Sequence, residues 1–179
     1  MKKICLSIFA TVVFVLYITT SIHAQEPFKF LGLKFGVAIS EQNSDISLYN
    51  PIPVSGSPMY QVSGLNKVGI YFDKSIVHIV EGKVESLSLY MKSSNVRKMI
   101  DLVSEKYGKP DSFKQEQVKT LRGIELSKIT ANWKLEGITL MANDRSDAIS
   151  GYFFVHTNKY TTFLKEQAEK DKKNSIGNL

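Results

Sequence analysis

Alternating apolar runs that follow one another without intervening helices, one strongly periodic helix in mid-chain and a second near the C-terminus predict an α+β fold. Strands that run consecutively, with no strand–helix–strand alternation, predict a largely antiparallel sheet. Two main helices are expected to pack on one face of it. The mid-chain helix divides the chain into two similar halves, each a set of strands followed by a helix, without residue-level repetition between them.

The chain begins with an export signal. Lys2 and Lys3 form a short positive segment, and Ile4 to Ile18 is almost wholly apolar over 15 residues. That is the length of a signal-peptide core and short of the roughly 20 residues a spanning helix needs. Thr19, Thr20 and Ser21 make a polar exit, and Ala24 suits a cleavage site with Ile22 two positions before it. The expectation is a cleavable signal peptide over 1–24 and one α+β domain over 25–179, ending in a polar tail. Cys5, the only cysteine, precedes the apolar run and so is not a lipidation site. The mature chain then has no thiol, which excludes disulfides, cysteine catalysis and thiolate metal sites.

Residues 29–36 (Phe-Lys-Phe-Leu-Gly-Leu-Lys-Phe at 28–35, running on to Gly36) alternate and read as a first strand. From Ala38 to Met59 the composition turns to Ser, Asn and Asp with Pro51, Pro53 and Pro58. Proline withholds a ladder donor, so this stretch reads as a long loop with one helical turn near Glu41. Such a loop is either a functional surface or a disordered spacer. From Lys67 strands resume. Val68, Ile70 and Phe72 alternate, 75–80 is β-branched apart from His78, and Leu87, Leu89 and Met91 alternate after the turn Glu81-Gly82-Lys83. A three-residue hairpin loop places Val77 opposite Leu87.

The mid-chain helix is predicted over 94–107, capped by Ser93 or Ser94. Val96, Ile100, Val103 and Tyr107 form its apolar stripe, Gly108 stands at C′ and Pro110 blocks continuation. Residues 115–121 are a further strand candidate. Ile129, Ala131, Trp133 and Leu135 alternate before the turn at Glu136-Gly137, which sets Trp133 opposite Leu140. Asn143 to Asp147 reads as a polar loop and Ile149 to His156 as a last apolar strand. A final helix begins near Asn158 with Tyr160, Phe163, Leu164 and Ala168 on one side, and frays beyond Lys170.

Removing the two leader lysines takes the formal charge from +6 to +4. The C-terminal lysines are interleaved with Glu166, Glu169 and Asp171, a solvated face and not a nucleic-acid patch. His78 and His156 lie in strand-like apolar runs without metal-ligand spacing. No Gly-x-Ser-x-Gly, Ser-x-x-Lys, His-Glu-x-x-His or phosphate-loop pattern occurs. Asp144 and Asp147 lack the dense oxygen ligands calcium requires. Glu81, Glu85 and Glu136 sit at turns, where carboxylates are common in any case. No catalytic residue, cofactor site or metal site is assigned.

The aromatic residues are the informative set. Tyr60, Tyr71, Tyr90, Trp133, Tyr152 and Phe154 fall on or beside predicted strands, and Tyr152 and Phe154 alternate with Phe153 and Val155. One set lines the core; the other is either covered by a helix or exposed as an interaction strip. The candidate interaction surface is therefore Tyr152, Phe154, Tyr71, Tyr90 and Tyr60, with Ser55 and Ser57 of the Pro-rich loop.

Three motifs carry a resemblance: Phe30-Leu31-Gly32-Leu33-Lys34-Phe35-Gly36 after a leader, Glu105-Lys106-Tyr107-Gly108-Lys109-Pro110 closing the helix, and Asn132-Trp133-Lys134. Together they resemble small uncharacterised exported proteins of Gram-negative bacteria. The helix-to-strand junction is similar to that of β-lactamase-inhibitor-like and outer-membrane-assembly lipoprotein modules. The resemblance implies binding of other proteins without catalysis, although the lipobox of the lipoproteins and the disulfides of the inhibitors are missing. The expectation is a non-catalytic periplasmic or secreted binding module with an envelope protein partner. It binds no nucleic acid, and it touches the membrane only through the leader before cleavage. A small-ligand or lipid carrier is the second reading and a hydrolase with unrecognised carboxylates the third.

Overall fold

The computed structural model describes residues 26–52, 57–119, 123–144 and 150–177. The leader expected at 1–24, Ser55, Asp147 and Ile149 lie outside them. The fold is α+β, with one eight-stranded antiparallel sheet, a small two-stranded sheet and two α-helices.

The stretch expected as one strand at 29–36 is instead a tight hairpin of β1 (Lys29–Phe30) and β2 (Leu33–Lys34). Leu31 and Gly32 take φ of 51° and 85°, the two left-handed residues that a two-residue hairpin turn demands. The alternation was genuine, but a Leu-Gly pair in its middle reversed the chain. Phe30, Leu33 and Phe35 are all buried. Gln42 clasps the far side of the hairpin: its side-chain amide accepts from the Lys34 N–H at 2.9 Å and donates to the Lys34 carbonyl at 2.8 Å.

A 3₁₀ turn at Ile39–Glu41 occupies the predicted position near Glu41. The described remainder of the expected loop is only partly loop, as at 42–46. It contains β3 (Ser47–Ile52), and β4 (Met59–Ser63) begins at its end. Pro51 is tolerated because β3 is an edge strand with an irregular register between Tyr49 and Ile52. β5 (Lys74–Val80) and β6 (Lys83–Lys92) follow. Val77 does lie opposite Leu87, but by another route: Glu81 and Gly82 make a two-residue turn with φ of 50° and 76°, and a bulge after His78 restores the register. The bulge turns Glu85 inward, where it is 2% exposed and accepts a hydrogen bond from the Thr157 hydroxyl.

α1 (Ser93–Tyr107) ends where Gly108, at φ 87°, hydrogen-bonds back to the Ser104 carbonyl. Its stripe is Val96, Met99, Ile100 and Val103, all buried, with Tyr107 packed at the margin. The N-cap is Lys92, without a side-chain cap bond. Ser93, expected as a cap, spends its hydroxyl on Asp144 at 2.8 Å. The second half repeats the plan with β7 (Ser112–Lys119), β8 (Glu125–Leu135), β9 (Ile138–Asp144), β10 (Ser150–Thr157) and α2 (Asn158–Gly177). Trp133 pairs with Leu140 as expected.

The strand order is β3-β4-β5-β6-β10-β9-β8-β7, and every neighbouring pair is antiparallel. Each half is a four-stranded meander, and the last strands of the two, β6 and β10, join at the centre. Leu87, Leu89, Met91, Phe153, Val155, Ala131, Trp133, Leu140 and Ala142 are all buried on one face. There α1 and the β1–β2 hairpin cover them. Phe30 stacks on Phe153 with centroids 5.3 Å apart, and Val96 of α1 lies against Gly151. α2 meets the sheet differently. Of its expected apolar residues Tyr160 alone is buried, while Phe163 is half-buried and Leu164 49% exposed. Tyr160 packs on His78 and His156, which alternate away from the core, so only α1 covers the core face along its length. The helix also continues past Lys170 to Gly177.

Candidate functional site

The sheet has a second face. Strand alternation and register bring Tyr90, Tyr152 and Phe154 together on it, because Tyr152 pairs with Tyr90 and Phe154 with Ser88 across β10 and β6. The rings of Tyr152 and Phe154 have centroids 4.6 Å apart. Tyr90 meets Phe154 edge-on at 6.5 Å, with an interplanar angle of 89°. All three are half-buried. Ser86 and Ser88 form a buried floor beside them. The row arises because even positions of β10 and β6 carry rings and serines, whereas odd positions carry the leucines, Phe153 and Val155 that fill the core.

Lysines surround this row. Lys74 is paired with Tyr90, Lys92 with Ser150, and Lys114, Lys128 and Lys134 share the face on β7 and β8. Glu116 is the one acid among the described strand residues of this face, and it is bridged to Lys114. At one end of the face the Tyr160 hydroxyl lies 3.0 Å from Nδ1 of His78. Burial pushes both His78 and His156 below the usual imidazole value and pushes the Tyr160 phenol up to about 12. All three are therefore neutral near pH 7, and the fixed charge of the face, apart from the bridged Glu116, is lysine charge.

The remaining candidates separate. Tyr71 is 73% exposed and lies outside the strands, two residues before Asp73, whose N–H donates to the Tyr90 carbonyl at 2.8 Å. Tyr60 pairs with Val77, on the core side, and packs against the core. Ser57 is 1% exposed, and its hydroxyl donates to the Ile79 carbonyl at 2.8 Å, so it is a structural residue and not a contact surface. Neither had a sequence signal, because the face of Tyr60 is set by its pairing with Val77 and the burial of Ser57 by its bond to Ile79. The lysines of β7 and β8 were missed because their faces depend on a register that a weak, polar strand does not announce.

The carboxylates do not converge. Glu81 pairs with Lys159, while Glu85 is engaged by Thr157. Asp144 is buried, accepting from the Ser93 hydroxyl and, at 3.3 Å, from the Ile129 N–H. Its burial raises the carboxyl above the usual range while those two bonds and distant Arg97 and Lys128 oppose the rise. Among the described residues no group of three or more His, Cys, Asp or Glu is placed to hold a metal, and no helix is long and apolar enough to cross a membrane. An apolar cleft of about 250 Å3 lies between α1 and the hairpin, lined by Phe30, Val68, Met99, Leu102 and Lys106.

The fold and this face define a two-meander antiparallel sheet, covered by α1 and the hairpin on one side and, beyond the end where Tyr160 of α2 packs on His78 and His156, aromatic and basic on the other. No family model matches the chain, and no curated protein or solved structure is significantly similar to it.

Proposed function

We propose that the chain is a non-catalytic binding module of the bacterial envelope, periplasmic or secreted, whose open sheet face docks on another protein. The observation that carries this is the row Tyr90–Phe154–Tyr152 at the centre of a face whose fixed charges are almost all lysines. Rigid amphipathic rings at the middle with charge around them are the arrangement of an interface hot spot and its polar rim. The sign of the rim selects an acidic partner surface. The motif resemblance to exported protein-binding modules supports the same reading.

Affinity capture from envelope extract, followed by identification of the retained protein, supplies the partner. Tyr152→Ser with Tyr90→Ser is expected to abolish retention, whereas Leu102→Ser, on the exposed side of α1 over the opposite face of the sheet, keeps it. Unchanged retention by the double variant overturns the reading. Export is tested separately: intact mass of protein from the periplasm is expected to begin at Gln25, and full-length chain in the membrane contradicts cleavage after Ala24. The cleft beside α1 favours a small apolar ligand as a second reading, although about 250 Å3 falls below the usual range of ligand pockets. Native mass spectrometry showing a co-purified ligand would move the weight to it.

A further inference from the structure

The two edges of the large sheet are built differently. β3 is blunted by Pro51, by its irregular register and by Asn50 at φ 48°. β7 has none of these. It is paired to β8 without interruption from Ser112↔Asn132 to Lys119↔Glu125, it is mostly exposed, and Phe113 on it is 48% exposed. Its outer row of backbone groups has no strand partner among the described residues. An open edge of this kind is a template for strand pairing.

We propose that the chain forms a two-fold dimer by antiparallel pairing of β7 with β7 of a second copy, with the axis at Gln115. A two-fold axis through an antiparallel pair must run between a residue and its own copy. The central choices are Lys114, Gln115 and Glu116. An axis at Lys114 sets lysine against lysine, and one at Glu116 sets glutamate against glutamate. At Gln115 the central charges find their opposites: Lys114 faces Glu116 of the second copy, twice by symmetry, while Lys119 keeps its bridge to Glu125 at 3.2 Å and Asp111, before the strand, keeps its bond from the Lys134 N–H at 2.6 Å. Phe113 then lies against Gln117 and Ser112 against Val118. Even positions share one face and odd positions the other, so the register continues both faces of the sheet. Cross-strand pairs of opposite charge stabilise such a ladder, and like charges oppose it. Charges that only protect an edge from pairing have no need of this self-complementary order.

The contact is one strand long, so the dimer is weak and concentration-dependent. Sedimentation equilibrium on protein from cells expressing the full chain is expected to show monomer giving way to dimer from micromolar to near-millimolar loading. Glu116→Lys is expected to weaken the dimer at least tenfold, and the swap Lys114→Glu with Glu116→Lys to restore it. A cysteine scan checks the register without charge changes. Q115C is expected to give an oxidised dimer, because the two copies of position 115 face each other at about 5 Å between Cα atoms. Q117C, whose copies lie about 14 Å apart in this register, is not. Monomer at every concentration, equal dimerisation by E116K, or equal cross-linking by Q117C each overturns the proposal.

Discussion

The indole nitrogen of Trp133 donates a hydrogen bond to the carbonyl oxygen of Gly108 across 2.9 Å, so the end of α1 is tied to β8. Gly108 adopts φ 87°, and a Cβ there would meet no neighbour within 4 Å. The penalty of substitution is therefore conformational. Gly108→Val is expected to cost about 1 kcal/mol or more, and Trp133→Phe about 1 kcal/mol from the lost bond, both read as midpoint shifts in urea denaturation followed by circular dichroism. A neutral Gly108→Val contradicts the cap.

Phe153 and Phe154 are adjacent but point to opposite faces. Phe153 is fully buried against Phe30 and Trp133, whereas Phe154 lies half-buried in the open row. Phe153→Ala is expected to cost about 3–5 kcal/mol, and Phe154→Ala less than half of that. Comparable losses would mean that the open face is covered.

The histidines make stability acid-sensitive. Burial holds the folded-state pKa of His78 and His156 below 6.5, so between that lower value and 6.5 the unfolded chain binds more protons. Stability from this source is complete above 6.5 and lost as pH falls through the window. Asp144 acts in the opposite sense. Its raised pKa means that the folded chain holds more protons just above 3.8, and its contribution to stability declines as pH rises through that interval. Melting temperature measured from pH 7 to 5 is expected to fall, and to fall less steeply in His78→Asn with His156→Asn. An unchanged slope contradicts their burial.

Replacing residues 41–57 with a Gly-Ser linker is expected to destabilise the domain, because the segment holds β3 and Ser57. The removal bares β4 and leaves the Ile79 carbonyl without its donor. Hydrogen exchange is expected to show lost protection in β4. Unaltered exchange there would mean that β3 contributes nothing to the edge.

Much of this architecture is legible locally. α1 is marked by an apolar stripe bounded by Gly108 and Pro110, and its observed limits differ from the predicted ones by a single residue. The hairpin register Trp133↔Leu140 follows from a turn glycine and alternation, whereas Val77↔Leu87 is reached only because the bulge after His78 offsets a two-residue turn. The β1–β2 reversal was hidden because the Leu-Gly turn lies within an unbroken alternation, and β3 because proline argues against a strand until an edge position removes the objection.

The candidate surface divides along the same line. That Tyr152 and Phe154 share a face opposite Phe153 and Val155 is readable from the residues alone, because side chains of a strand alternate whatever the fold. Which face is covered depends on long-range packing. α1 and the hairpin close over the odd positions of β10, and the pairing of β6 with β10, 58 or more residues apart at every paired position from Ser150↔Lys92 to His156↔Ser86, sets Tyr90 beside Tyr152. Such long-range pairing depends on how two meanders meet, and no local pattern in either one encodes the other's register.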